Sequence, residues 1–179
     1  INVKELMVPL IEYATVSQDA TLREAIRALE KAQMTLEPMQ YRHRAILVLD
    51  GNGNVLGKLI MKDILVALEP NYGKVEGTEV LERSGYSPDL IKSMLEDNAL
   101  WTRPMQLVRE RAANLKVEDF IQKPSETEYI GENAVLGEAV HQFIVSPYHS
   151  LLVTRDGEVV GILRLSDAFT KVCDIIKDV

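Results

Sequence analysis

One stretch of this sequence is written twice, and the repetition restricts the possible folds more than any other feature does. The phrase VLGKLIMKDIL at 55–65 returns as VVGILRLSDAF at 159–169. Nearer the start of the chain, an offset of 114 residues keeps apolar positions in register, for example Val3 with Val117. Self-similarity of this kind is typical of one supersecondary unit that occurs twice and buries its apolar face against its neighbour.

The distance between the two copies shortens along the chain. The offset falls to 105 at Ile46, which pairs with Leu151, and to 104 at Gly57, which pairs with Gly161. The first copy therefore carries extra residues, most of them around EKAQMTLEPMQYRH at 30–43 and one in its DGNGN turn. Surface connections tolerate such insertions, so we expect the two copies to share one fold.

Each copy has the pattern of a strand, a helix, a hairpin and a second helix. The short runs YATVS and TEYIG favour strands, and Thr21 with Glu24 makes a capping box that starts the first helix. Two apolar runs flank a turn rich in Asp, Gly and Asn in each copy, which predicts a hairpin. KDILVALE and SDAFTKVCDIIKDV close the copies as helices. The predicted fold class is α+β, with two β-α-β-β-α repeats.

A third region, between the copies, has no counterpart in either of them. The sequence SPD at 87–89 is a helix start, and Pro104 opens another helix. We expect a helical arm that covers apolar surface, with a dimerisation or partner-binding arm as the alternative, and a core or interface position for Trp101. The predicted domains are the first repeat at 1–69, the helical insert at 70–114 and the second repeat at 115–179.

Composition excludes several classes of function. A net charge of -7 and a pI near 5.1 argue against binding to nucleic acid or to an anionic membrane, which requires a basic face. Neither a membrane span nor a secretory leader is visible, so a cytoplasmic protein is expected. The single cysteine, Cys173, has no partner for a disulfide, and no zinc-site spacing or catalytic motif is present. We therefore predict no catalytic residue and no metal site.

The repeated phrase places an aspartate where a strand turns into a helix. Asp63 and Asp167 both fall in the first turn of the predicted helix. A carboxylate there can simply complement the helix macrodipole and its free amides. It can also accept hydrogen bonds from a ribose diol while neighbouring amides and cations hold phosphate. The residues alone leave both interpretations open.

The two-copy pattern resembles the CBS domain family, named after cystathionine β-synthase, whose modules occur as tandem pairs. In that family each repeat ends in a strand glycine, a Ser or Thr three residues later and an Asp three after that. This chain keeps the glycine and the aspartate but has Ile60 and Arg164 at the middle position. The resemblance implies two repeats packed about a pseudo-twofold axis, with an adenine nucleotide or adenosyl ligand in the clefts between them.

The resemblance also implies candidate ligand-binding residues. The second copy is favoured, because Arg164 is a strong phosphate partner whereas Ile60 supplies nothing polar. For most of the other positions a solvated or packed side chain is the alternative. The candidates are Asp167, Arg164, Ser166, His149 and Tyr129 from the second copy, and Asp63, Lys62, Arg44 and Thr15 from the first.

The expected function is that of a non-catalytic regulatory module. AMP, ADP, ATP or S-adenosylmethionine would be its regulatory ligand, no cofactor would be required, and binding would shift a population of conformations. The alternative is a ligand-free scaffold that serves homodimerisation or the docking of a partner protein. A homodimer and an unidentified regulated protein are the expected partners, on family grounds alone.

Overall fold

The computed structural model describes residues 1–34, 43–74, 85–121 and 123–177. The first half contains β1 (Val8–Pro9), β2 (Thr15–Ser17), α1 (Leu22–Met34), β3 (Ala45–Leu49), β4 (Val55–Ile60) and α2 (Met61–Leu68). The arm contains α3 (Pro88–Asp97) and α4 (Met105–Asn114). The second half contains β5 (Tyr129–Gly131), α5 (Leu136–Val145), β6 (Ser150–Arg155), β7 (Glu158–Arg164) and α6 (Leu165–Lys177). The predicted β-α-β-β-α order is confirmed in both halves. Most of the predicted insertion at 30–43 lies outside the described residues.

The two repeats form two separate sheets with the same strand connections. In the first sheet the order is β2-β3-β4, and in the second it is β1-β7-β6-β5. β2 runs parallel to β3 and β5 runs parallel to β6, and the two hairpin strands of each repeat are antiparallel. The pairing of β1 with β7 adds a fourth strand to the second sheet only.

The hairpin turns show how the extra residue of the first copy is accommodated. Asp50 Oδ1 accepts the backbone N–H of Asn54 at 2.9 Å, and Gly53 takes a positive φ of 84°. The shorter second turn has φ of 51° at Asp156 and 85° at Gly157. Two consecutive positive φ values are the geometry of the tight turns that join antiparallel strands.

Helix starts follow the sequence signals. Glu24 N donates to Thr21 Oγ1 at 3.3 Å, and Thr21 N donates to Glu24 Oε2 at 2.6 Å, so the predicted capping box is present. In the arm, Ser87 Oγ accepts the N–H of Leu90 at 3.2 Å, and Pro104 directly precedes α4.

The repeats exchange the segments that precede their first strands. Val3 is fully buried in the core of the second repeat, and its N–H donates to Ala134 O at 2.9 Å. Val117 is fully buried in the core of the first repeat, and its N–H donates to Ala20 O at 2.9 Å. Since the offset of 114 pairs these residues with one another, the exchange is reciprocal. The two cores are therefore interleaved in space although the repeats are successive in sequence.

Gly161 shows why the repeated phrase needs a glycine in its second copy. Pro9 of β1 lies opposite Gly161 in the sheet. A Cβ atom at Gly161 would lie 2.7 Å from Val8 O and 2.9 Å from Met7 Sδ. Such contacts are too short, so this glycine allows the close approach of β1.

The interface between the sheets has its own apolar core. Tyr13 and Leu47 of the first repeat are buried there with Leu152 and Ile162 of the second. Leu47 and Leu152 are equivalent positions in the two copies. The repeats thus meet through matching strands, as expected of a pair related by a pseudo-twofold axis.

In the described part of the arm, α4 covers apolar surface and α3 leaves most of its apolar side chains exposed. Ala112 of α4 is buried, and α4 packs against α1 and α2. The apolar side chains of α3 are instead largely exposed, with Leu90 at 38%, Ile91 at 56% and Leu95 at 47%. Trp101 is half-buried and its Nε1–H donates to Tyr72 OH at 3.1 Å.

None of the helices in the described ranges has the length and apolar character needed to cross a membrane. Within the same ranges, no three His, Cys, Asp or Glu side chains are grouped so as to hold a metal ion.

Candidate ligand-binding site

Each repeat ends in a strand-to-helix turn that carries an aspartate, but the two aspartates have different partners. Asp63, the third residue of α2, accepts the backbone N–H of Ile60 at 3.2 Å. Asp167, the third residue of α6, accepts Arg164 Nε at 2.5 Å and Arg164 Nη2 at 2.8 Å. The second turn therefore contains a bidentate ion pair, a strong and directional interaction.

The Asp167 cluster, which we define as Tyr13, His43, Arg164 and Asp167, combines residues from both repeats. The His43 and Tyr13 ring centroids are 4.2 Å apart with an interplanar angle of 62°. Tyr13 packs in one apolar core with Ile162 of β7, two residues before Arg164, and the charges of Arg164 and Asp167 act on the pKa values of Tyr13 and His43. The side chains of Arg164 and Asp167 are 12% and 17% exposed. A turn of one repeat thus faces the strand entrance of the other.

Burial keeps both aromatic groups of this cluster neutral at neutral pH. Desolvation raises the pKa of Tyr13 to about 12, although the positive charge of Arg164 opposes the shift. Desolvation also lowers the pKa of His43, and Arg164 adds to this effect while Asp167 opposes it. The imidazole is therefore uncharged and has one N–H donor and one nitrogen acceptor.

His43 has hydrogen-bonding capacity that the described part of the chain does not use. Its residue is 1% exposed, and neither Nδ1 nor Nε2 has a hydrogen-bond partner among the described residues. An unsatisfied buried polar group costs roughly 1 to 3 kcal/mol, and most such groups in native proteins are paired. The Asp167 cluster therefore contains a polar group that a ligand or a water molecule can satisfy.

The Asp63 cluster, which we define as Lys58, Asp63, Glu128 and Ser150, is satisfied internally. Lys58 Nζ lies 2.8 Å from Glu128 Oε1 and donates to Ser150 O at 2.7 Å and to Ser150 Oγ at 3.0 Å. The side chains of Lys58 and Glu128 are 8% and 9% exposed. Desolvation lowers the pKa of Lys58, although the charges of Glu128 and Asp63 oppose it. All three ammonium donors have acceptors, so this cluster has no free cation for a phosphate.

The sequence explains why this ion pair across the repeats forms only once. By the offsets that align the copies, three polar members of the Asp63 cluster correspond to apolar residues in the other copy. The equivalents of Lys58, Glu128 and Ser150 are Ile162, Ala14 and Ala45.

The structure brings only two of the predicted second-copy residues, Arg164 and Asp167, into direct contact. Among the described residues, no hydrogen bond or ion pair joins Ser166, His149 or Tyr129 to Asp167. His149 is exposed and its carbonyl accepts the N–H of Leu165, the first residue of α6, at 2.9 Å. Tyr129 packs against the core between the sheets, and burial raises its pKa.

The predicted first-copy residues are more scattered. Thr15 lies half-buried in β2. Lys62 and Arg44 are exposed and make no hydrogen bond or ion pair within the described ranges. These assignments stay predictions.

Sequence reasoning did not select Tyr13, His43 or Glu128 as site residues. The reason is geometric, because the sequence pattern groups residues within one copy, whereas Tyr13 and His43 come from the first repeat and Arg164 and Asp167 from the second. The basic stretch YRHRA at 41–45 was a usable signal, since it contains His43 directly before β3.

Comparison with known proteins identifies the family of the two repeats. The CBS domain model matches residues 3–70 and 117–174. No curated protein is significantly similar to the chain in sequence.

Solved structures share the fold at low sequence identity. A CBS domain-containing protein of unknown function from Bacillus anthracis str. Ames Ancestor has a TM-score of 0.62 at 19% identity, covering 97% of this chain and 94% of its own. CBSX2 in complex with AMP has a TM-score of 0.59 at 16% identity, covering 97% of each chain. The CBS domain of a bacterial CNNM/CorC family Mg2+ transporter in complex with ATP has a TM-score of 0.59 at 15% identity, covering 96% of this chain and 87% of its own.

Proposed function

Because this chain belongs to the CBS domain family, we propose that it is a non-catalytic regulatory module that binds an adenine nucleotide or a related adenosyl ligand at the Asp167 cluster. CBS-domain pairs are in general regulatory modules, and AMP and ATP occur in complexes of two similar structures. The observation that carries the proposal is that the charged groups of the two clusters have different partners. The Asp63 cluster is neutralised and satisfied by Lys58 and Glu128, whereas the Asp167 cluster has its ion pair within one turn beside the unpaired His43.

Binding at the Asp167 cluster is an exchange of partners. The two oxygens of Asp167 that accept Arg164 are also suited to the two hydroxyls of a ribose. Once released, the Arg164 guanidinium becomes a planar donor for phosphate. A ring nitrogen of His43 gains a partner in the same step. The ligand therefore replaces an existing ion pair, and its affinity depends on the difference between old and new contacts.

The same exchange supplies a signal. Arg164 ends β7 and Asp167 lies in the first turn of α6, so separating them changes the contacts at this junction. A ligand shifts a conformational equilibrium only by the difference between its affinities for the two states. The broken pair provides such a difference, and α6 is the element that would transmit it.

The proposal is tested by thermal unfolding and calorimetry of the chain with AMP, ADP, ATP and S-adenosylmethionine. A ligand at 100 times its dissociation constant adds about 2.7 kcal/mol to the free energy of unfolding. We expect one ligand per chain, with binding abolished in Asp167→Ala and retained in Asp63→Ala. Two equivalent sites, or equal losses in the two variants, would contradict the assignment to the Asp167 cluster.

The second candidate function is a ligand-free scaffold, and the exposed apolar side of α3 favours it. Leu90, Ile91 and Leu95 expose 38%, 56% and 47% of their surface on a helix of the arm. The scaffold predicts a homodimer that Ile91→Glu dissociates, measured by light scattering, with no thermal response to any of the four ligands. A homodimer is also compatible with the regulatory module, so the ligand response decides between the two functions. For both candidate functions we propose a cytoplasmic location, which fits the one free cysteine of the chain, Cys173.

A further inference from the structure

The arm pocket is a cavity of about 340 Å³ between the end of α2 and the arm. We define it by Glu69, Trp101, Arg103, Leu107 and Arg111, which line it, and none of these residues belongs to either aspartate cluster. Its volume falls at the lower end of the range of roughly 300 to 1,000 Å³ that holds small molecules. The pocket is therefore a candidate site separate from the proposed nucleotide site.

A buried carboxylate forms the base of this pocket. Glu69 is 2% exposed, with Oε1 accepting the N–H of Asn71 at 2.9 Å and Oε2 accepting the N–H of Trp101 at 2.8 Å. Burial by itself would raise the pKa of Glu69, but the two N–H donors and the charges of Arg103 and Arg111 outweigh it and lower the pKa. Because each oxygen already accepts a backbone donor, Glu69 holds the pocket together and is poorly placed to bind a cation.

Trp101, which lines the arm pocket, has an unusual backbone conformation. Trp101 has φ of 58° and Ala99 has φ of 49°, in the left-handed region that side chains other than glycine rarely adopt. The bond from Trp101 N to Glu69 and the bond from its indole to Tyr72 OH hold the residue there. Backbone strain of this kind is concentrated at functional positions such as ligand clamps. Here the strained residue is Trp101, whose indole lines the cavity.

The cationic hydrogen-bond donors at the pocket belong to Arg103 and Arg111. Arg111 Nε donates to Ala67 O at 2.8 Å, which leaves its two terminal nitrogens. Arg103 is exposed and, among the described residues, makes no hydrogen bond or ion pair. Glu110, also exposed, is a lining carboxylate and opposes an anion there. The apolar part of the lining consists of Leu68, Pro70, Trp101, Leu107, Val108 and Leu115.

We propose that the arm pocket binds a small molecule with one anionic group, held by Arg103 and Arg111, and a short hydrocarbon body that packs on Trp101 and Leu107. A carboxylate is the simplest such group, because a guanidinium matches its two oxygens. The arm pocket shares no residue with the proposed nucleotide site. It adjoins the first repeat, because Leu68 at the end of α2 lines it.

The chain contains one tryptophan, so the fluorescence of Trp101 reports on this pocket alone. We would titrate the full chain with octanoate, and with octylammonium and octanol as probes with the same hydrocarbon body and a different head. A saturable change with octanoate, and a much weaker response to the other two, is the expected result. No saturable change with octanoate, or equal responses to all three probes, would overturn the proposal.

Matched variants test whether Arg103 binds the carboxylate of octanoate. Arg103→Gln should weaken octanoate binding about tenfold, as expected for the loss of one charge-assisted hydrogen bond. Arg109→Gln removes the same charge from α4 at a residue outside the pocket lining and should bind as the wild type does. Glu110→Gln should strengthen binding. Equal affinities of Arg103→Gln and Arg109→Gln would contradict the assigned role of Arg103.

A further variant separates this proposal from the nucleotide site. Asp167→Ala should retain the full octanoate response, because Asp167 does not line the pocket. If octanoate binds and no nucleotide does, the arm-pocket proposal is supported and the proposed function is contradicted. If a nucleotide binds and octanoate does not, the proposed function is supported and the arm-pocket proposal is contradicted. All variants are compared by circular dichroism to confirm that they are folded.

Discussion

The two aspartate clusters surround equivalent aspartates of two copies of one repeat, yet they distribute their charges differently. At the Asp63 cluster, Lys58 of the first repeat reaches across to Glu128 of the second. At the Asp167 cluster, Arg164 turns back onto Asp167 within its own repeat. The first pair joins the two repeats, whereas the second pair stays within one turn.

This difference separates a structural role from a binding role. An ion pair whose members are both about 90% buried must keep both partners, since either charge alone would be left desolvated. A pair within one turn can open without separating the repeats, so a ligand can take the place of one partner. The comparison therefore assigns stability between the repeats to the Asp63 cluster and ligand exchange to the Asp167 cluster.

The largest effect is expected from Glu128→Ala. The variant leaves the Lys58 ammonium buried without its counter-charge, which costs about 3 to 5 kcal/mol when one member of a buried pair is removed. The free energy of unfolding, measured by urea denaturation, should fall by this amount.

Two controls test the origin of that loss. The double variant Lys58→Met with Glu128→Leu should recover most of the stability, because apolar replacement of both partners is often neutral or favourable. Glu132→Ala breaks the ion pair with Arg155, whose side chain is 56% exposed, and should cost much less stability because water screens an exposed pair. Similar losses for Glu128→Ala and Glu132→Ala would remove the basis for treating the Asp63 cluster as the link between the repeats.

A smaller loss is expected from Asp167→Ala in the absence of ligand. The variant removes two charge-assisted hydrogen bonds from Arg164, but they join residues three positions apart rather than the two repeats. We expect a loss of about 1 to 3 kcal/mol in the same denaturation experiment. A loss as large as that of Glu128→Ala would show that the Asp167 pair is as structural as the other.

A still smaller loss is expected from Asp63→Ala. Asp63 accepts one backbone N–H, that of Ile60, at the start of α2. Removing such a cap typically costs about 1 kcal/mol. Asp63→Asn keeps an oxygen acceptor and should be close to the wild type. If Asp63→Asn loses as much as Asp63→Ala, the charge near Lys58 matters more than the cap.

The sequence was sufficient to predict the parts of the fold that depend on local patterns. The capping box of Thr21 and Glu24, the hairpin turns and the helix start at Ser87 are set by neighbouring residues, and all are present. The repeated phrase also predicted the two-repeat fold, because two copies of one phrase at matching spacing imply two copies of one unit.

Contacts across the repeats were beyond the reach of these patterns. The interleaved positions of Val3 and Val117 depend on how the copies pack, and a repeat in sequence is silent on which copy fills which core. The same applies to the site, since Tyr13 and His43 come from the first repeat and Arg164 and Asp167 from the second. His43 was missed for this reason, although it belongs to the basic stretch that drew attention to its neighbour Arg44.

The smallest effect on the free energy of unfolding is expected from His43. The effect is absent at neutral pH and develops only as the pH falls. Burial and the charge of Arg164 lower the pKa of His43 in the folded protein, with Asp167 opposing. In the unfolded chain the pKa is about 6.5, so the unfolded state takes up the proton first as the pH falls. The stability contributed by neutral His43 is therefore complete above about pH 6.5 and is lost as the pH falls toward the folded pKa.

The test is the free energy of unfolding measured from neutral pH downward for the wild type, His43→Gln and the control His141→Gln, which alters an exposed residue of α5. The wild type and the control should lose stability in parallel, while His43→Gln should lose less over the same interval. A nucleotide phosphate that accepts a hydrogen bond from the imidazole favours its charged form and raises its pKa, so it should reduce this loss in the wild type and leave the loss in His43→Gln unchanged. Identical pH profiles for all three proteins without ligand would mean that His43 is not held neutral. The Asp167 cluster would then lack the unused polar group that distinguishes it from the Asp63 cluster.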